Sequence, residues 1–406
     1  MNTLYKAHKF NGDANYVGEQ GYLAIKEESS AGTAVIPNVF VPLISESIKT
    51  VVNHEADRRI RGINWKATDI IRGNRSHEGE IKVYGDPDMI GHFLNMIMSK
   101  SSSSGTSDGY THAFAVGNGS TYTFEINRGN FVQRYFGVTI EELKMEFENG
   151  QLVLTIQVKA MGQVGAMTLG VASSGSVTSI TLDDAYDIAP NRGLVVNDVL
   201  NVGGTDVTIT SVNSNGIAVG FSSTSVTASV GDLVYLKPQT VTQPTLRDPF
   251  YFGNTLAGFG ADASAAATAA ASRSTATPIY DLSIVLKNNL FAQNGSNRFD
   301  PVQIIPKTKE ASIKLARLFT DATQKQKHQD RIKQSLVIVM LGSFIKSDFT
   351  TQEKLTLTFN NVKLLENENT IQVGELIKDE QTFEVLYDTT DGQAMAATLI
   401  NRTSTY

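Results

Sequence analysis

The chain has 406 residues, of which 41% are hydrophobic, and carries a formal net charge of −6. This length is enough for two or three domains, and the apolar content is that of a globular protein. The absence of cysteine excludes disulfides, thiolate metal sites and cysteine nucleophiles. A nucleic-acid-binding surface is also disfavoured, because the mild acidity comes without any basic stripe.

The N-terminal residues contain no apolar segment of signal-peptide length. No other stretch approaches the ~20 apolar residues of a membrane-spanning helix. We therefore expect a protein that is made in a cytoplasm and does not insert into a membrane.

Taken in order, the chain begins with an extended arm at residues 1–37 that contains one short strand, Tyr22–Lys26. Alternating polar and apolar residues predict strands at Trp65–Ile70 and Gly79–Tyr84. A helix follows, with Asp86 as its N-cap. Its apolar residues recur at helical spacing and are expected to pack on the sheet: Met89, Ile90, Phe93, Leu94 and Ile97. The run Ser101–Gly105 is predicted to be a flexible loop.

The most regular pattern is a hairpin between Val138 and Met161. Apolar and polar side chains alternate on both arms, and Asn149-Gly150 between them favours a type I′ turn. One face is apolar and requires a core. The other face is polar and is expected to contact water: Lys144, Glu146, Glu148, Thr155, Gln157 and Lys159.

The composition changes near Gly162, after which Val, Thr, Ser, Gly and Asp dominate. Short strands separated by turn signals indicate a small all-β barrel or sandwich inserted at residues 165–242. We therefore predict a first β domain at residues 1–164 and a second at residues 243–406. Within the second, the alanine-rich stretch at residues 249–279 is expected to be a long, partly ordered arm.

The second domain is predicted to repeat the element order of the first. Leu282–Asn289 parallels Leu43–His54, and Ala311–Ala316 parallels Gly79–Tyr84. A polar helix is predicted at residues 321–334. Two strands then repeat the long hairpin, the last of them at Phe383–Tyr387.

No motif predicts catalysis, a cofactor or a metal ion. Gly258-Phe259-Gly260 fits a loose dinucleotide fingerprint, but the buried strand and βαβ unit that such a motif requires are missing. The six histidines are scattered, without the close spacing of a ligand set. We expect no enzymatic activity.

The combined pattern resembles the tail tube proteins of long-tailed bacteriophages. The similar segments are Gly21–Glu27 with Gly32-Thr33, the charged run to Arg58-Arg59, Gly79–Tyr84, Asp86–Gly91 and Ile284–Leu290. The likeness covers roughly residues 1–165 and 245–406, and the insert departs from the plan.

The resemblance implies two β-sandwich or half-barrel domains, each with a flanking helix, plus the inserted β domain. It implies a structural virion protein that assembles into stacked rings around passing double-stranded DNA, with a tape measure protein as a further partner. Rings of three copies are expected, with six as the alternative. The polar hairpin face is expected to line the lumen, and the stretches at residues 1–37 and 249–279 to contact neighbouring rings.

Two alternatives are compatible with the same sequence. The insert is also typical of a surface-displayed module that binds a host protein or glycan. A different structural protein of the tail or baseplate would share the same β-folds.

Overall fold

The computed structural model describes residues 21–58, 69–129, 132–183, 193–213, 217–242, 244–296, 298–319, 323–346, 350–370 and 377–406. The predicted arm before residue 21 and most of the predicted strand Trp65–Ile70 lie outside these residues. The fold is mainly β with a half-barrel sheet, as the sequence predicts, and the described residues contain three α-helices.

The N-terminal region contributes β1 (Tyr22–Glu27), β2 (Val39–Val41), β3 (Ser45–Glu46), β4 (Lys49–Asp57), β5 (Asp69–Tyr84), β6 (Ser99–Thr106), β7 (Gly109–Ala115), β8 (Tyr122–Asn127), β9 (Val132–Glu148), β10 (Gln151–Ala160) and β11 (Gly162–Val164). The central region contributes β12 (Ala166–Thr168), β13 (Ser176–Thr181), β14 (Val199–Val202), β15 (Thr205–Val212), β16 (Ala218–Ser225) and β17 (Leu233–Leu236). The C-terminal region contributes β18 (Thr255–Gly260), β19 (Asp281–Lys287), β20 (Leu290–Asn294), β21 (Pro301–Pro306), β22 (Glu310–Leu318), β23 (Gln334–Phe344), β24 (Gln352–Thr370), β25 (Lys378–Val385) and β26 (Met395–Asn401). The helices are α1 (Ile90–Ile97), α2 (Ala263–Ala269) and α3 (Thr323–Gln329).

The hairpin of β9 and β10 forms as the sequence predicts. Its two turn residues both have positive φ, 50° at Asn149 and 80° at Gly150, which is what a type I′ turn needs. The apolar side chains of both arms lie opposite one another, as in the pairs Leu143 with Ile156 and Met145 with Leu154. These residues are almost fully buried, so the hairpin contributes one wall of the main core.

Helix α1 packs on β9 and lies entirely in the core. Ile90, Phe93, Leu94 and Ile97 are buried there, and Met89 packs against the same cluster. The helix begins later than predicted because the chain first makes a turn after Asp86. The side chain of Asp86 caps this turn, and its backbone carbonyl accepts hydrogen bonds from the residues that follow. Its fully buried surface explains why so short a helix is stable.

Three predictions of local structure are wrong. Ser101–Gly105 is not a loop but part of β6, because β7 supplies a hydrogen-bonding partner that outweighs the weak strand preference of serine. The stretch at 249–279 is not a loosely ordered arm, since β18 pairs with β23 and α2 packs against both. Asp262 caps α2 through its side chain, at 2.8 Å from the amide nitrogen of Ala265. Finally, the strand near residue 385 is not the last strand of the chain, because β26 follows it.

The central region forms a separate six-stranded sheet in the order β12, β17, β14, β15, β16, β13. A bridge between Leu169 and Leu182 joins the two outermost strands. The sheet therefore closes into a small barrel, which protects its edges. Its interior is filled by aliphatic residues such as Leu200, Ile209 and Val219.

A buried ionic cluster fixes this barrel to the main sheet. The guanidinium of Arg134, on β9, donates to Glu125 on β8 at 2.7 Å and to Asp198, the residue before the barrel strand β14, at 2.6 Å. All three side chains are at most 2% exposed. Tyr22 and Gln239 satisfy the other carboxylate oxygen of Glu125. Every charge in the cluster is thus paired, which a buried charge requires.

We expect Arg134→Met to cost about 3–5 kcal/mol of unfolding free energy, because two buried carboxylates would lose their partner. Guanidinium unfolding of the unassembled chain measures this. Asp206→Asn is the matched control, since it removes the exposed Lys237–Asp206 pair and should cost at most about 0.5 kcal/mol. Equal losses in the two variants would contradict the assigned role of Arg134.

A second buried cluster surrounds His92 of α1. Its ring packs edge-on against Tyr406 with centroids 4.8 Å apart, and its Nδ1 lies 3.4 Å from the hydroxyl of Tyr122. Burial, with a smaller contribution from Lys100, lowers the pKa of His92 from 6.5 to about 4. The imidazole is therefore neutral in the folded chain at neutral pH.

The depressed pKa predicts a specific loss of stability in acid. Above pH 6.5 the His92 contribution is complete, and it is lost as the pH falls from 6.5 towards 4, because only the unfolded chain takes up the proton. The full loss is about 3 kcal/mol. The difference in unfolding free energy between wild type and His92→Gln should shrink by that order between pH 7 and pH 4.5. A difference independent of pH would show that His92 is not buried as a neutral ring.

Candidate subunit interface

The main sheet joins the two halves of the chain through two pairs of strands, β9 with β19 and β7 with β26. We call residues 21–164 the N-terminal half and residues 244–406 the C-terminal half. Strand β9 of the N-terminal half pairs antiparallel with β19 of the C-terminal half, with Glu142–Glu146 opposite Ser283–Lys287. We call this pairing the internal seam. It makes one continuous sheet in the order β4, β5, β10, β9, β19, β22, β25, β24.

Hydrogen bonds and an ion pair reinforce the internal seam. The backbone N–H of Asn288 donates to Glu141 O at 2.8 Å, and its side-chain amide donates to Ile140 O at 2.9 Å. The ammonium group of Lys309 donates to the other side-chain atom of Asn288, its Oδ1, at 2.8 Å. Lys287 forms an ion pair with Glu142, directly opposite it, at 3.0 Å. The seam is thus held by backbone pairing and by matched side chains.

A further contact between the halves lies beyond these strand pairs. Asp300, next to β21, accepts from Arg75 at 2.7 Å and lies 2.8 Å from Nε2 of His77, both on β5. The N–H of Arg75 also donates to the backbone of Phe299. Burial by itself would raise the pKa of Asp300, but the bonds from His77 and Arg75 outweigh it and hold that pKa below its usual range. The carboxylate is therefore charged and locks the two halves together.

The two halves share the same order of strand pairing. In the N-terminal half β1 pairs with β8, β8 with the start of β9, β9 with β10, and β10 with β5. In the C-terminal half β18 pairs with β23, β23 with the start of β24, β24 with β25, and β25 with β22. Helix α1 packs on β9 and helix α3 on β24. Each half is thus one unit of similar plan.

This order leaves two strand edges open at the ends of the sheet. The first is the side of Ser45–Lys49 (β3, the linking residues and the start of β4) that faces away from β5; we call it the N-edge. The second is Lys363–Glu368 of β24, on the side that β23 occupies only as far as Val362; we call it the C-edge. Among the residues that the structure describes, no strand pairs with either edge, although Nδ1 of His328 on α3 lies 3.0 Å from the carbonyl oxygen of Leu364 at the C-edge. Open edges of this length favour pairing with another chain.

The six candidate lumen residues lie on one face of the hairpin. Lys144 stands opposite Thr155, and Gln157 follows two residues further on the same side of β10. All six residues are at least partly exposed: Lys144, Glu146, Glu148, Thr155, Gln157 and Lys159. Most of the charges are neutralised locally, by the pairs Lys144–Glu146 at 2.6 Å, Lys82–Glu148 at 2.6 Å and Lys159–Glu141 at 2.6 Å.

The remaining sequence motifs do not form a site. Gly258 and Gly260 lie on β18, where α2 packs so closely that an added Cβ would meet its backbone at 2.2–2.3 Å, so these glycines permit helix packing. Within the described part of the chain, no group of His, Asp or Glu side chains has the arrangement of a metal site. None of the helices described there has both the length and the apolar character needed to cross a membrane.

The described residues thus form β units with flanking helices, joined edge to edge. A family model described as phage tail tube protein matches residues 18–229. The match covers just over half of the chain. This chain belongs to the phage tail tube protein family. No match was found among curated proteins.

Membership of the tail tube family makes this chain a structural component of the phage tail tube. The extent of the match differs from the likeness seen in the sequence, because it runs through the N-terminal half and most of the barrel but ends before the C-terminal half. The strands of the internal seam and the two open edges were not identified as an interface from the sequence. Only the weak repetition of Leu43–His54 in Leu282–Asn289 pointed to them.

Proposed function

We propose that this tail tube protein assembles with copies of itself into closed rings, and that stacked rings form a conduit for double-stranded DNA. The internal seam carries this proposal. It joins two units of similar plan edge to edge within one chain, and it leaves one matching edge open at each end. Repeating the same step between chains would close the sheet into a ring and cover both open edges.

We infer further that the two halves are a tandem duplication. The support is the shared order of strand pairing and the equivalent position of α1 and α3. Because each chain would then supply two units, three copies would give a ring with six-fold-like symmetry. A ring of six copies is the alternative, and ring-to-ring stacking would be a head-to-tail contact that grows into a filament.

The polar hairpin face is proposed to line the lumen, where the tape measure protein and then DNA would lie. The support is its exposure together with its local charge pairing. A surface whose lysines are already paired with carboxylates releases few counterions on contact with DNA, so it attracts DNA weakly. Such a lining would let the duplex pass without being retained. The parts are proposed to assemble in the host cytoplasm before joining the virion tail.

We expect the purified protein to form hollow rings or tubes of constant diameter at high concentration. Negative-stain electron microscopy shows the particles, and mass photometry counts the copies in a ring. A chain that remains monomeric at high concentration and forms neither rings nor tubes would overturn the proposal. Rings of three and of six copies are distinguished by mass.

Assembled tubes should not retain double-stranded DNA even at low salt. In contrast, Glu146→Lys combined with Glu148→Lys should retain DNA with a steep dependence on salt concentration, because each ring gains several unpaired cations in its lumen. Asp206→Lys, which adds a cation on the barrel, is the control. Tight retention by the wild-type tube, or an equal effect of the barrel substitution, would count against the assigned lumen face.

A further inference from the structure

The strand pairings show which single residues of the two halves correspond to each other. Ile81 on β5 pairs with Ile156 on β10, and Ile313 on β22 pairs with Phe383 on β25. Ile81 and Ile313 therefore occupy the same place in their units, and so do Ile156 and Phe383. These four buried side chains fix the alignment of the neighbouring strands.

The alignment extends to the strands that carry the edges. Ile156 pairs with Leu143 on β9, and Phe383 pairs with Leu364 on β24, so Leu143 and Leu364 are equivalent. On the other side, Ile284 pairs with Ile313 as Glu46 pairs with Ile81. Two residues further on, Leu286 is then equivalent to Ile48. Leu286 pairs with Leu143 in the internal seam.

Resting on the proposed ring assembly, we propose that the C-edge of one copy pairs antiparallel with the N-edge of the next copy, in the register of the internal seam. Leu364 then lies opposite Ile48 of the next copy, as Leu143 lies opposite Leu286. A bulge at Leu365 places Glu366 opposite Ser47, which is the counterpart of Lys144 opposite Val285. The interface partner is thus a second copy of this chain, through two named strands.

The exposure of apolar side chains at the edges supports this assignment. Leu282, beside the internal seam, is fully buried, whereas Ile44 at the equivalent position of the N-edge is 42% exposed. Leu365, in the bulge of the C-edge, is 55% exposed. Pairing of the two edges brings a strand of another copy next to both side chains and removes apolar surface from water.

The charges at one end of this interface differ from those of the internal seam. Lys287 faces Glu142 in the internal seam, but the equivalent residues of the two open edges are Lys49 and Lys363. Two lysines directly opposite one another weaken a strand pair. The contact between copies is therefore weaker than the contact within a chain, and a substitution can strengthen it.

The register is tested by disulfide formation, for which the cysteine-free chain provides a clean background. Opposite residues of an antiparallel pair have Cα atoms about 4.5–5.5 Å apart, within the range of a disulfide. Ser47→Cys with Glu366→Cys should cross-link copies in assembled rings and give a ladder on a non-reducing gel. Val285→Cys with Lys144→Cys is the positive control within one chain. Ser47→Cys with Glu368→Cys, shifted by two residues, is the negative control.

The outcomes separate this inference from the proposed function. Absence of any ring in the microscope overturns the proposed function itself. Rings in which the positive control forms its disulfide, but the Ser47 and Glu366 pair does not or the shifted pair does so better, overturn only the register. Cross-linking of copies by the Ser47 and Glu366 pair supports it.

Charge reversal tests the same interface without cysteine. Lys363→Glu places a carboxylate opposite Lys49 and should lower the concentration needed for ring formation by about two- to five-fold at low salt. High salt should reduce that gain, since it screens exposed pairs. Lys314→Glu, on β22 away from both edges, is the control and should give no such gain. No change in Lys363→Glu would contradict the proposed contact.

The backbone of the N-edge is bonded to side chains of the same chain. The N–H of Ser47 bonds to β5, so the N–H and C=O of Ile48 point to the open side. There the Ile48 N–H donates to the carboxylate of Glu46 at 3.1 Å, and its C=O accepts from the guanidinium of Arg128 at 2.5 Å. Glu46 and Arg128 are joined by two further bonds, at 2.6 and 2.7 Å.

We infer that Glu46 and Arg128 form a latch over the N-edge that must open before a second copy can pair there. The latch bonds to the N–H and C=O of Ile48. In the internal seam, the N–H and C=O of Leu286, the equivalent residue, face β9. At the place of Glu46 the internal seam carries Ile284, which leaves its edge free to pair. The latch thus satisfies, in the unassembled chain, the hydrogen-bonding groups of an edge that would otherwise favour pairing with another chain.

Glu46→Ile copies the residue of the internal seam and should lower the concentration needed for ring formation several-fold and speed the onset of assembly. Light scattering and sedimentation velocity measure both quantities. Asp206→Asn, which breaks a surface pair remote from the edge, should change neither. If Glu46→Ile folds, as judged by its unfolding curve, and assembles no faster than wild type, the latch is excluded.

Discussion

The structure depends on the fact that a β-strand has two edges and that each edge must be satisfied. Within this chain β9 meets that requirement by pairing with β10 on one side and with β8 and β19 on the other. Strand β24 meets it only in part, since β23 covers one side as far as Val362. Beyond Val362, one side of β24 therefore has no paired strand among the described residues.

The rest of the molecule is stabilised by a tight turn, by an apolar face and by two buried ionic clusters. The hairpin of β9 and β10 is fixed by its turn and by a fully apolar face over α1. Arg134 holds the barrel against the main sheet through a buried pair of carboxylates, and Asp300 holds the halves together through Arg75 and His77. Removing one partner of such a buried pair is strongly destabilising, because it leaves an uncompensated buried charge.

Sequence and structure agree best where the signal is local. The alternation around Asn149-Gly150 predicted the hairpin, its turn and its buried face, because period and turn chemistry are properties of neighbouring residues. The agreement fails where distant strands decide the outcome. Ser101–Gly105 is a strand because β7 lies beside it, and α2 is a packed helix because glycines on β18 let it approach. The start of α1 was misplaced because Asp86 caps a turn before the helix.

The sequence by itself determined a β-rich chain with a central change of composition, an apolar hairpin face, a packed helix and a resemblance to tail tube proteins. Only the tertiary structure decided which strand edges are covered and which are open, since this depends on pairing between residues more than a hundred positions apart, such as Leu143 and Leu286. The same holds for the latch of Glu46 with Arg128 and for the cluster around Arg134. Side chains far apart in the sequence are in contact there, and a local periodic pattern does not predict such contacts.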